Sequence, residues 1–329
     1  MHGVDSRLGL HTWRVLSISM VLFAALALAS AQDATQRVYL PVSRKTGSSA
    51  ASVVRKNVDL VLVPVTVLDR SEKTVNGLRA QDFIVLDEKT QQKIKYFSSE
   101  DAPLSLTVIL DASGSMAPQI RSVREAVLKL FKSSNPEDEF RVITVSSKPE
   151  NVADIGASLD EVSERMGDVH PSGFTSLWDA MYLGVSDFKE ARFQKKAMVV
   201  ISDGGDNHSR YTQNEIKSIL EESDTLVYAV GLFDPRASRL EERMGPLRLD
   251  EVTSVTGGRV FPVHNAQDLN AAIQKINREL RNQYVIGYSP SPNPELKGKW
   301  HKLKVHLNGE PMKSSLHVYA RKGYYAGSD

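Results

Sequence analysis

A chain of 329 residues, 41% hydrophobic and 25% charged, holds enough apolar material for one large or two modest domains, and disorder does not dominate it. Lys and Arg number 41 against 40 Asp and Glu, a formal net charge of +1, so no global field draws the chain to nucleic acid or to an anionic membrane and any partner has to be recognised locally. The cysteine count is 0, which excludes disulfides, Cys-based zinc sites, thiol catalysis and lipid attachment through an N-terminal Cys.

Residues 1–31 read as an export signal. Arg7 and Arg14 precede an apolar run over 15–28, and Ala29-Ser30-Ala31 offers a small-residue cleavage pattern before Gln32. No basic stop-transfer cluster follows, so cleavage after Ala31 is expected over retention as an anchor. The mature protein is then secreted, periplasmic or held in the cell envelope, with no stable membrane span. Residues 32–52 are polar, rich in small residues and without a period, as a flexible linker is. Residues 53–100 form an N-terminal β segment with strands expected over 58–68, 83–86 and 94–97. Pro64 inside the first run predicts an edge position or a bulge.

From 101 to 283 strands alternate with helices. Strands are expected at 104–110, 140–145, 197–201, 225–230 and 259–263. Helices at 120–131, 177–188, 215–222 and 269–280 show apolar residues at three- and four-residue intervals. This alternation predicts an α/β domain with a doubly wound, mostly parallel sheet covered by helices on both faces. Ligands of such sheets collect at the carboxyl ends of the strands near a switch point. Asp111 and Asp203 both stand at such ends.

After Asn282 the helices stop. Strands are expected at 284–288, 302–307 and 316–320, with Leu303, Val305 and Leu307 alternating with Lys302, Lys304 and His306. The strands on either side of the α/β unit are too few to bury a face alone, so 284–329 is expected to pair with 53–100 in one small β-sandwich interrupted by the α/β domain.

The chemistry is concentrated in three loops. In Asp111-Ala112-Ser113-Gly114-Ser115, alternate residues of an extended turn point the same way, so one carboxylate and two hydroxyls can converge on a small hard cation. The second loop, Ser172-Gly173-Phe174-Thr175-Ser176, places a Thr at a helix start. The third, Ser202-Asp203-Gly204-Gly205-Asp206-Asn207, ends another β-branched strand in an acidic turn. Each loop taken singly can be plain turn chemistry.

Taken in order, the three loops resemble the metal-ion-dependent adhesion site of von Willebrand factor A domains. The resemblance implies that fold, with Asp111, Ser113 and Ser115 of the first loop, Thr175 of the second and Asp203 of the third around Mg²⁺, for which Ca²⁺ or Mn²⁺ can substitute. It also implies a non-enzymatic adhesion module whose metal takes an Asp or Glu carboxylate from a protein partner. Phe174 departs from the pattern, standing where many relatives have a second Gly, and is expected to narrow access or to offer an apolar contact. The flanks are similar to a bacterial group of exported von Willebrand factor A-related proteins, through Asp82-Phe83-Ile84-Val85-Leu86-Asp87, Gln92-Lys93-Ile94-Lys95-Tyr96-Phe97, Tyr284-Val285-Ile286-Gly287-Tyr288-Ser289-Pro290 and Arg321-Lys322-Gly323-Tyr324-Tyr325-Ala326.

Two other classes compete. A Mg²⁺-dependent phosphatase using Asp111 as nucleophile wants an acid two residues on, where Ser113 stands, and no Gly-x-Ser-x-Gly of a serine hydrolase is present. A structural module of an envelope assembly, its metal merely holding loops together, is the other alternative. Asp206 and Asn207 read as turn formers beside the site. Asp179 reads as a helix-face residue bonded within its own first turn, and Trp178, Tyr324 and Tyr325 as packing aromatics. His301 and His306 fall on opposite faces of one strand and so make no zinc site, and His208 is expected to face solvent.

Overall fold

The computed structural model describes residues 60–234, 240–290, 298–309 and 315–326. The expected signal peptide, the linker and residues 53–59 lie outside the described residues. Among the described residues, no helix is long and apolar enough to cross a membrane.

The chain enters through β1 (Val61–Leu68), β2 (Phe83–Asp87), β3 (Thr90–Gln92) and β4 (Ile94–Ser98). It then passes into β5 (Ser105–Asp111), α1 (Ile120–Lys132), β6 (Glu139–Val145), β7 (Pro149–Ala153), α2 (Leu159–Gly167), α3 (Leu177–Asp187) and β8 (Lys196–Ser202). The α/β part continues with α4 (Gln213–Glu222), β9 (Thr225–Leu232), α5 (Leu240–Ser254), β10 (Val260–Val263) and α6 (Ala266–Arg281). Four strands close the chain: β11 (Tyr284–Tyr288), β12 (Trp300–Leu307), β13 (His317–Ala320) and β14 (Gly323–Tyr325).

The central sheet has six strands in the order β10-β9-β8-β5-β6-β7. All its pairings are parallel except that of β7, which adds antiparallel at the edge. Period two sends side chains of one strand to two cores. Leu106, Val108 and Leu110 of β5 pack with α1, α2 and α6, whereas Ile109 packs with α3, α4 and α5. Every residue of β5 is buried, so each of its large aliphatic side chains contributes about 1.5–3 kcal/mol. Helix ends are fastened locally: the Thr212 hydroxyl accepts the Glu215 amide and the Glu215 carboxylate accepts the Thr212 amide, a capping box for α4.

From β5 the chain winds to β6 on one side, and later to β8, β9 and β10 on the other. The switch point is therefore at the carboxyl ends of β5 and β8, where Asp111 and Ser202 stand. Beyond the short flanking strands β3 and β14, three elements of the α/β part differ from expectation. β7 and α2 are short and polar, and the apolar period of α5 is broken by Gly245-Pro246 inside the helix.

The flanking strands form two four-stranded sheets, β13-β1-β11-β4 and β14-β12-β2-β3, and each draws strands from both ends of the chain. Their shared core holds Val63, Val65, Val67, Phe83, Val85, Tyr284, Ile286, Leu303 and Val305. Pro64 pairs with Val285, but β13 joins β1 only from Val65 onward, so at Pro64 one flank of the strand is open.

Between the sheets the flanking motifs meet. Asp87 Oδ2 accepts from the Tyr288 hydroxyl at 3.0 Å and from the Tyr324 hydroxyl at 2.9 Å, and His301 Nδ1 lies 2.9 Å from Asp87 Oδ1. All four residues are buried. Burial pushes both tyrosine hydroxyls well above their ordinary pKa, so they remain donors to the carboxylate. His301 points inward and His306 outward, as their spacing requires.

Candidate metal centre

Apolar β5 delivers Asp111 to the end of the sheet fully buried. Its two oxygens are both used. Oδ1 accepts the Ser113 amide at 2.9 Å, and Oδ2 accepts the Ser202 hydroxyl at 2.6 Å. Ser202 Oγ also accepts the Gly204 amide at 2.9 Å, so Asp111 is tied to the third loop through one side chain. Burial first, and then the charge of Asp203, pushes the Asp111 carboxyl up to about 6, against the pull of the Ser202 and Ser113 hydrogen bonds.

Above it runs a line of oxygens. Ser113 Oγ and Ser115 Oγ are 3.1 Å apart, and Ser115 Oγ donates to Asp203 Oδ2 at 2.9 Å. Asp203 Oδ1 accepts the Gly205 amide at 2.8 Å, which fixes the carboxylate's orientation. The second loop is drawn in by its main chain, with the Ser172 amide donating to the Ala112 carbonyl at 2.9 Å. Asn207 Oδ1 accepts the Thr175 amide at 3.0 Å, and the Thr175 carbonyl accepts the Asn207 and His208 amides. Ser113, Ser115 and Thr175 line one open cavity of about 1250 Å³, together with Phe174, Asn207 and Arg248 among others. Asp111 and Asp203 are not among its lining residues.

Two close backbone approaches set this geometry. Gly173 has φ +75°, and a Cβ there would stand 2.6 Å from Ser147 Oγ. Gly204 has φ +78°, and a Cβ there would meet the Cα of Gly245 in α5 at 2.6 Å, so α5 lies backbone to backbone against the third loop.

The surrounding residues correct one expectation. Asp179 does not bond within its own helical turn. Its carboxylate is buried and accepts the Arg210 amide, the Tyr211 amide and Arg210 Nε at 2.9, 3.1 and 3.1 Å, across a gap of 31 and 32 residues. Local spacing does not reveal such a contact. Asp206 accepts the Trp178 amide at 3.2 Å and the Ser209 hydroxyl, so the third loop caps the start of α3 and fixes Thr175 beside it. Burial raises the Asp206 carboxyl above its ordinary range, against those hydrogen bonds. Phe174 is 58% exposed and stacks on His208 with centroids 5.2 Å apart, an apolar lip at the cavity's edge.

Among the described residues no three His, Cys, Asp or Glu side chains come together as a metal cluster. What comes together is two carboxylates and hydroxyls, an all-oxygen set suited to a hard cation.

The von Willebrand factor type A domain family model matches residues 106–205. Inter-alpha-trypsin inhibitor heavy chain H4 of Homo sapiens is 25% identical over 210 residues, which is 57% of this chain and 22% of that protein. The Sus scrofa protein of the same name is 23% identical over 168 residues, 45% of this chain and 18% of the relative. The matches thus span about a fifth of the length of these curated relatives. Among solved structures, a von Willebrand factor type A protein from Catenulispora acidiphila superposes with TM-score 0.48 at 11% identity, covering 83% of this chain and 74% of that one. The BatB protein from Bacteroides thetaiotaomicron gives TM-score 0.44 at 17% identity, covering 54% and 98%. Residues 106–205, from β5 through the turn after β8, are thus the part of this chain that matches the von Willebrand factor type A domain family.

Proposed function

We propose that this chain is an exported protein that binds another macromolecule without catalysis, through a divalent cation held by Asp111, Ser113, Ser115, Thr175 and Asp203. The observation that carries the reading is the line Ser113–Ser115–Asp203, with neighbouring oxygens 3.1 and 2.9 Å apart above the buried Asp111. Adjacent donors of a Mg²⁺ octahedron with bonds of 2.0–2.1 Å stand about 2.9 Å apart, and these two separations are of that size.

The chain's residues have distinct parts in this. Asp111 supplies negative charge from below and, held by Ser113 and Ser202, cannot swing away. Ser115 and Asp203 share a hydrogen bond that a cation would replace, and Thr175 lines the same cavity as Ser113 and Ser115. Asp206, Asn207 and Asp179 hold the second and third loops in register. Because most of these ligands are neutral, a bound cation keeps enough charge to accept an Asp or Glu carboxylate from a protein partner. Phe174 and Arg248 on the same cavity suit such a partner, one with apolar contact and the other with positive charge.

In this reading residues 1–31 direct export and are removed, 32–52 link, 101–283 form the binding domain, and 53–100 with 284–329 make its β-sandwich base. The test is affinity capture of envelope and secreted proteins with and without chelator. Capture that vanishes in chelator, returns with Mg²⁺ and fails when the partner's key acidic residue is neutralised supports it. Metal-dependent turnover of phosphomonoesters, esters or peptides that Asp111→Asn abolishes overturns it.

A further inference from the structure

At the opposite end of the parallel sheet lies a second cavity, of about 540 Å³. Its walls come from the outer face of β1 and β4, through Leu60, Leu62 and Tyr96, and from the amino-terminal ends of β8 and β9, through Lys195, Lys196 and Leu226. Leu60, Leu62 and Tyr96 are 41%, 44% and 46% exposed, an unusual concentration of apolar side chains left uncovered. The size and the mostly apolar exposed wall are those of small-molecule sites.

Two cations stand in this wall without an ion pair among the described residues, Lys195 and Lys196, and the Lys195 amine is the one held against a main-chain carbonyl. Lys195 Nζ donates to the Leu280 carbonyl, and among the described residues it forms no ion pair. The neighbouring acids are committed elsewhere: Asp101 and Asp138 both pair with Arg281, and Asp224 pairs with Arg321. Glu221 also lines the cavity and lies close to Lys217 and Lys322. An ammonium carries three donors, and one carbonyl satisfies one of them. Burial, and then the charge of Arg281, pushes the Lys195 amine down to about 8, against the pull of Asp101 and Asp138. An anion placed against it relieves that cost.

We propose that this cavity binds an apolar molecule ending in a carboxylate, of the fatty-acid class, with the chain against Leu60, Leu62 and Tyr96 and the carboxylate on Lys195. The site is separate from the loops around Asp111 and does not depend on the function proposed for them.

Calorimetry of the full chain with dodecanoate and with dodecanol tests this. Saturable one-to-one binding of dodecanoate is expected, weakened at least tenfold by Lys195→Met, with dodecanol binding unchanged by that substitution. Leu62→Glu, at a position whose exposure spares the fold, is expected to abolish dodecanoate binding. In the wild-type chain dodecanoate should slow acetylation of Lys195 by acetic anhydride, read by peptide mass spectrometry, and leave exposed Lys148 unaffected. No saturable binding, equal dodecanoate affinity in a folded Lys195→Met chain, or undiminished acetylation of Lys195 overturns the proposal.

Discussion

Ser115 donates its hydroxyl hydrogen to Asp203 Oδ2 across 2.9 Å, joining loops 88 residues apart in the chain. A divalent cation at this position takes over both oxygens, and the hydrogen bond is given up for two metal contacts. The two side chains therefore differ in what they lose on truncation. Ser115→Ala removes one neutral ligand and is expected to weaken Mg²⁺ binding roughly tenfold, about 1.4 kcal/mol. Asp203→Ala removes a full charge and should weaken it at least as much. Calorimetry of the two variants with Mg²⁺ checks the order, and Ser115→Ala as the more damaging of the two would contradict it.

The buried Asp111 carboxyl, raised from 3.8 to about 6, links stability to pH. In the metal-free protein the folded state holds this proton more tightly than the unfolded chain does. Stability from this group is thus fully present below about pH 4, lost as pH rises through about 6, and absent above it, at most about 3 kcal/mol in all. Mg²⁺ favours the charged carboxylate, so it should cancel the loss. Thermal melts in chelator between pH 4 and 7, compared with Asp111→Asn, isolate this group from the raised carboxyls of Asp138 and Asp206. Equal slopes for the two proteins would count against it.

Within the sandwich, Tyr324→Phe removes one of the two hydroxyls that donate to Asp87 Oδ2 and leaves the Tyr288 bond in place. The oxygen keeps one partner, so the expected cost is about 1–2 kcal/mol. Asp87→Ala takes the carboxylate from both buried hydroxyls at once, leaving Tyr324 only its 3.3 Å contact with His301 Nδ1, and should cost more. Urea unfolding of the two variants measures this, and equal midpoints for Asp87→Ala and the wild type would show that the cluster is not a stabilising link between the sheets.

The parts of this architecture that were legible in the sequence are those set by local pattern. The apolar runs of β5 and β8 and the acidic turns after them stand where period and turn chemistry put them, and their strands are neighbours in the sheet. Among the flanking strands β12 was legible because Leu303 and Val305 alternate with Lys302 and Lys304, whereas the three-residue β3 and β14 are too short to show a period. What was not legible depends on distant partners. The Asp87 cluster joins residues 201 to 237 positions apart, and Asp179 finds its partners across a loop, so no window of spacing shows either. α5 was hidden because Gly245-Pro246 interrupts its period, although the same Gly245 is what lets the helix press against Gly204.

The central claim is that Asp111 anchors a divalent cation in a site built by three loops. Mg²⁺ titration of the wild-type chain and of Asp111→Ala, side by side in a calorimeter, tests it most directly. The account predicts one Mg²⁺ bound by the wild type and none by the variant, because the hydroxyls of Ser113, Ser115 and Thr175 cannot hold the cation with Asp203 alone. Undiminished Mg²⁺ binding by a folded Asp111→Ala chain would contradict it.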